Sequence, residues 1–106
     1  MIRYLKKMTP ENIVKKSIKD LLCKLGIFHF PVLQGLGCQR GISDLLGCYN
    51  RRMFAIEVKK PGGKPTPDQI AFLDAVRGAG GIGFVATSTE DVIEGLNLGG
   101  RFLDFK

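Results

Sequence analysis

Met53-Phe54-Ala55-Ile56-Glu57-Val58-Lys59 is the stretch that decides the fold of this 106-residue chain. Its β-branched and aromatic residues, preceded by the turn signal Asn50-Arg51-Arg52, predict a strand. Side chains alternate along a strand, so Phe54, Ile56 and Val58 take one face and Met53, Ala55, Glu57 and Lys59 the other. Glu57 and Lys59 become neighbours, with Cα atoms roughly 6.6 Å apart. An acid and a lysine within an inner strand are costly to bury unless they serve something. The plain alternative is an exposed ion pair on an edge strand, worth about 0–1 kcal/mol.

Upstream, Asp44-Leu45-Leu46-Gly47-Cys48-Tyr49 predicts a partner strand, and the two make a hairpin with Asp44 at its mouth. Alone, Asp44 reads as a turn or capping residue. Facing Glu57 and Lys59, it suits a hard cation: Mg²⁺ or Mn²⁺ takes oxygen ligands, often one or two carboxylates completed by water and substrate phosphate. Lysine does not ligate there, but it can orient or deprotonate an attacking water.

Further out, Thr9-Pro10-Glu11 starts a helix, with Thr as N-cap, Pro at the first helical position and an acid in the first turn. Apolar residues at helical spacing carry it to Gly26. Phe28 to Leu33 is the best strand segment of the glycine-rich stretch 26–42. Pro61-Gly62-Gly63-Lys64-Pro65 is a loop, Thr66-Pro67-Asp68-Gln69 opens a second helix, and Gly80-Gly81 ends it. Ile82 to Thr87 forms a strand, and Ser88 to Leu96 a short helix in which Asp91 closes a capping box on Ser88. The order α-β-β-β-α-β-α predicts an α/β fold in one domain spanning residues 1–106, a mixed central sheet flanked by helices.

Composition narrows the classes. The chain carries 16 Lys and Arg against 10 Asp and Glu, a formal charge of +6. The first 66 residues hold 13 of the bases and four of the acids, Glu11, Asp20, Asp44 and Glu57. That asymmetry points to an anionic partner. No apolar run approaches the roughly 20 residues of a membrane span, and no signal-like segment opens the chain, so a cytoplasmic protein is expected. Cys23, Cys38 and Cys48, with only His29 as a nitrogen donor, lack the spacing of a zinc site. His29, between Phe28 and Phe30, reads as a packed or capping residue. Residues 78–83 match G-x-G-x-x-G, but they follow a helix and precede a strand, the reverse of a dinucleotide site.

Gly41-Ile42-Ser43-Asp44 followed by Ala55-Ile56-Glu57-Val58-Lys59 resembles the PD-(D/E)xK nuclease superfamily. With Glu11 in the first helix and Thr66-Pro67-Asp68-Gln69 after a glycine-rich loop, the pattern resembles the virus-type replication-repair nuclease (VRR-NUC) family, in its small stand-alone phage and prophage form. Ser43 stands where the superfamily pattern has proline. The resemblance implies a restriction-endonuclease-like core. It implies that Asp44, Glu57 and the Val58 carbonyl hold Mg²⁺ or Mn²⁺, with Glu11 joining directly or through water. It further implies that Lys59 positions or activates the attacking water and that Gln69 stands beside the scissile phosphate. Glu11 in a first turn also suits the helix dipole, and Thr66-x-x-Gln69 is itself a capping box.

The expected activity is metal-dependent cleavage of structured DNA by a homodimeric Holliday-junction resolvase. The alternatives are a flap or fork nuclease, a non-catalytic DNA-binding domain of the same fold, or a basic domain that binds a partner protein. Lys15, Lys16, Lys19, Arg40, Arg51, Arg52, Lys60 and Lys64 are the expected phosphate contacts. No recognition helix or aromatic platform for base readout is evident. The arm Met1–Met8 and the tail Phe102–Phe105 are candidate dimer contacts on apolar content.

Overall fold

The computed structural model describes residues 8–33 and 38–99. Its elements are α1 (Pro10–Lys24), β1 (Phe28–Pro31), β2 (Leu45–Tyr49), β3 (Arg52–Val58), α2 (Pro67–Gly78), β4 (Ile82–Ala86) and α3 (Thr89–Gly95). The four strands form one sheet in the order β1-β2-β3-β4. β1–β2 and β2–β3 are antiparallel, and β3–β4 is parallel. This is the mixed sheet expected from the sequence, and it makes β3 an inner strand. The edge-strand explanation for Glu57 and Lys59 is thereby removed.

From Phe54 onward both faces of β3 are covered, which explains why that stretch is apolar nearly throughout. Leu45, Phe54, Ile56 and Val58 pack with Ile18 and Leu22 of α1 and Val92 of α3. Ala55, on the opposite face, packs with Leu73 and Val76 of α2. The β2–β3 connection turns on Asn50 and Arg51, both at positive φ (54° and 69°), the geometry of a two-residue hairpin turn that matches strand twist. Thr9 caps α1 by accepting the Asn12 N–H. At α2 both arms of the capping box form: the Thr66 N–H donates to Gln69 Oε1 (2.8 Å), and the Gln69 N–H to Thr66 Oγ1 (3.2 Å).

α3 departs from expectation in one detail. Ser88 accepts the Asp91 N–H, as a cap should. The Asp91 carboxylate, however, takes the N–H and hydroxyl of Thr87 at 2.8 and 3.0 Å, and so ties the end of β4 to the helix.

Candidate active site

Glu57 is 1% exposed, buried by the sheet and α2 near the C-terminal end of β3. Its Oε2 lies 3.6 Å from the Lys59 Nζ, while Oε1 is buried with no hydrogen-bond partner among the described residues. Asp44, at the mouth of β2, accepts the Val58 N–H on Oδ2 (2.8 Å) and meets the Lys15 Nζ on Oδ1 (3.1 Å). Two carboxylates are thus framed by two lysines, one directly after β3 and one from α1. Burial above all, then the Asp44 charge and a hydrogen bond with Asp44, push the Glu57 carboxyl from 4.5 up to about 8. Lys59 pulls the other way and does not compensate.

A buried acid lacking one partner while crowding a second acid is a stability cost, and such groups cluster where chemistry is done. The donor set is one of hard oxygens. In a strand a residue's N–H and C=O lie on the same edge, so the Val58 carbonyl faces the Asp44 side of β3. Two carboxylates and a carbonyl fit Mg²⁺ or Mn²⁺, which leave their remaining positions to water and phosphate. Glu11, one helical turn before Lys15, is half-buried in α1. No cluster of three or more His, Cys, Asp or Glu forms among the described residues.

The loop that delivers Asp44 is seated on α2. Gly41 has φ +71°, and a Cβ built there would lie 2.1 Å from the Asp68 carbonyl oxygen. Only glycine allows that approach, which brings the first turn of α2, with Gln69, against the Gly41–Asp44 segment. Gln69 Oε1 is engaged by the cap, so its carbonyl end holds the helix start. Gly41→Ala is expected to displace this loop and lower any metal affinity of the Asp44 and Glu57 pair tenfold or more, in the range of losses on disturbing ligand support. Mn²⁺ calorimetry on the folded variant checks it. Ser43, fully buried with an unpartnered hydroxyl, is a second orphan polar atom beside Asp44. In the sequence, Ser43 is distinguished only by standing where the superfamily pattern has proline.

The sequence matches the family model of the VRR-NUC domain over residues 4–90. The chain belongs to the VRR-NUC family. It is therefore a nuclease domain of the PD-(D/E)xK type, and its mixed sheet with flanking helices agrees with that fold. No curated protein matches the chain closely enough to add a named relative.

Within this VRR-NUC domain the predicted basic residues do not form one surface. Lys15 lies in the centre itself, on Asp44. Lys16 pairs with Asp20 (2.9 Å), and both line a shallow groove along α1 with Lys19, Met8 and Asn12. Arg40 is exposed and 3.8 Å from Asp68. Lys60 and Lys64 are exposed on the loop after β3, whose turn is closed by the Gly63 N–H donating to the Lys60 carbonyl. Arg51 and Arg52 are at the other end of β3, about 16 Å from Glu57 at strand rise. There Arg52 donates to the carbonyls of Gly80 and Gly81 and lines a cavity of about 380 Å³ with Arg77 and Asn97. Arg51 and Arg52 therefore sit at the opposite end of β3 from Lys60. His29 is a local anchor, its Nδ1 2.8 Å from the Ile27 carbonyl. The dimer contacts expected at residues 1–7 and 102–105 lie outside the described residues. No helix among the described residues is long and apolar enough to cross a membrane.

Proposed function

We propose that this VRR-NUC domain is a metal-dependent, structure-selective DNA endonuclease that works as a homodimeric Holliday-junction resolvase. The observation that carries the reading is the buried Glu57 carboxyl with its unpartnered Oε1, set beside Asp44 and Lys59. A scaffold acid would be fully paired or exposed; this one is buried with a single ion pair and one oxygen unsatisfied. When bound, Mg²⁺ or Mn²⁺ supplies Lewis acidity and neutralises charge on the phosphate oxygens. Asp44, Glu57 and the Val58 carbonyl hold it. Lys59 orients the attacking water and stabilises developing negative charge from a fixed position. Lys15 is well placed to keep Asp44 aligned on the α1 side. Lys60, Lys64 and Arg40 hold neighbouring phosphates, with an affinity that falls steeply as salt rises.

A flap or fork nuclease is the second reading, and the direct test separates the two. Purified protein with Mg²⁺ or Mn²⁺ is expected to cut four-way junctions, and Lys59→Ala to abolish cutting while DNA binding persists. Flaps cut with junctions spared supports the second reading, and all branched substrates left intact ends the enzymatic one. Light scattering checks the dimer, since a monomer of 11.6 kDa places only one active site at a junction that needs two.

Ion binding is expected to be pH-dependent. The folded protein holds a proton on Glu57 between pH 4.5 and about 8 that the unfolded chain has lost. Metal-free stability therefore falls as pH rises through that window. Binding of a cation must expel the same proton. Mn²⁺ affinity by calorimetry should climb about tenfold per pH unit below about 7.5 and level off above about 8. A flat profile contradicts the assignment of Glu57 as a ligand.

A further inference from the structure

Phe28 and Phe30 are 65% and 45% exposed, although they belong to a strand of the central sheet. Phe28 pairs across β1–β2 with Cys48, and Phe30 with Leu46. Across β2–β3, Cys48 faces Met53 and Leu46 faces Ala55. Opposed side chains share a face, and Leu46 packs towards Ala55, Leu73 and Val76, so both rings lie on the α2 side of the sheet. By alternation from Ala55, that is also the side of Glu57. α2 packs on β3 and β4; among the described residues, the β1–β2 part of the face stays open at Phe28, Phe30 and Cys48, as does Met53 at the start of β3.

This open face adjoins the candidate active site. The Val32 N–H donates to the Asp44 carbonyl at 2.9 Å, continuing the β1–β2 pairing beyond Pro31. Phe30 is then the diagonal neighbour of Asp44, about 7–8 Å away between Cα atoms. The two rings meet edge to face, with centroids 5.9 Å apart and planes at 60°. Aromatic rings beside basic groups are what single-stranded nucleic acid recognises: bases stack on the rings while phosphates take the cations. Lys15 and Lys59 supply cations on Asp44 and Glu57, and Lys60 and Lys64 are exposed on the loop that follows. A second protein strand is the poorer occupant, because β1 has four residues and ends on Pro31, which offers no N–H.

We propose that Phe28 and Phe30 form a stacking platform for an unpaired base next to the scissile phosphate. The platform makes the enzyme favour DNA with unpaired nucleotides at the branch over continuous duplex, whose bases are already stacked. This inference rests on the nuclease activity proposed above and names what that site selects.

The test compares the wild-type chain with Phe28→Ala/Phe30→Ala, Phe30→Leu and Phe30→Trp, each checked for folding by circular dichroism. The ratio of cleavage on a fork with unpaired arms to cleavage on matched duplex is expected to fall about tenfold in the double variant, the loss of roughly one base–aromatic stack. Phe30→Leu should fall in the same direction, and Phe30→Trp should hold the ratio. An unchanged ratio overturns the proposal. Full retention by Phe30→Leu with a lower light-scattering mass for the double variant also overturns it and assigns the face to a protein partner. Fluorescence of 2-aminopurine at the unpaired position, read without metal, needs no cleavage. Quenching by the wild type but not by the double variant, at matched binding by anisotropy, supports stacking even if no substrate is cut. Equal signals for both refute it even if the nuclease activity stands.

Discussion

Glu57→Gln is expected to lower DNA cleavage by roughly 10²–10³-fold, the loss typical of removing one preorganised electrostatic group from a catalytic centre. The same change should leave the metal-free melting temperature at pH 7.5 unchanged or higher. Both outcomes come from one environment. Glu57 is 1% exposed, one oxygen has no partner, and burial with Asp44 beside it raises its pKa to about 8. Near neutral pH the folded state must either keep the proton or bear an ill-solvated charge, and glutamine has the shape without the charge. Loss of activity together with gained stability is the signature of a residue kept for chemistry. Cleavage that survives the substitution, or a melting temperature that drops steeply, identifies Glu57 as part of the scaffold instead. Asp44→Asn should match the activity loss, because Asp44 is the second carboxylate of the pair.

Phe54→Ala should produce the largest loss of stability, about 3–5 kcal/mol. For a domain whose whole stability is roughly 5–15 kcal/mol, that is a large share. Phe54 is fully buried in β3, and its ring occupies the space above Gly47 of β2. A Cβ built on Gly47 would lie 2.4 Å from the Phe54 Cζ and 2.2 Å from the Phe28 carbonyl oxygen. The absent side chain at 47 is therefore what leaves room for the ring. Gly47→Ala overfills that space and should cost about 1–3 kcal/mol. Urea denaturation of each variant measures both. A Phe54→Ala midpoint close to wild type contradicts the packing described.

The fold was legible where pattern alone dictates local structure. Thr9-Pro10 and Thr66-Pro67 announce helix starts because a capping hydroxyl and a donorless first residue suit those positions. The hairpin was legible from two apolar runs around Asn50-Arg51-Arg52. Glu57 and Lys59 stood out because charge within an inner strand conflicts with packing. What the sequence hid depends on which faces meet in space. The Lys15 contact with Asp44 needs α1 to cross the sheet end at one angle, which helical spacing does not specify. Arg51 and Arg52 are near Lys59 in sequence yet lie at the far end of a strand. The open face at Phe28 and Phe30 follows from where α2 stops covering the sheet, which no residue pattern specifies. The Asp91 carboxylate met Thr87 rather than Ser88 because β4 ends close enough to compete for it.

A structure determined from crystals soaked in Mn²⁺, read by anomalous scattering, tests the central claim most directly. A peak is expected within ligand distance of Asp44 and Glu57, with the Lys59 ammonium moved off Glu57 Oε2. No peak at saturating Mn²⁺, with the 3.6 Å Lys59–Glu57 contact intact, would contradict it.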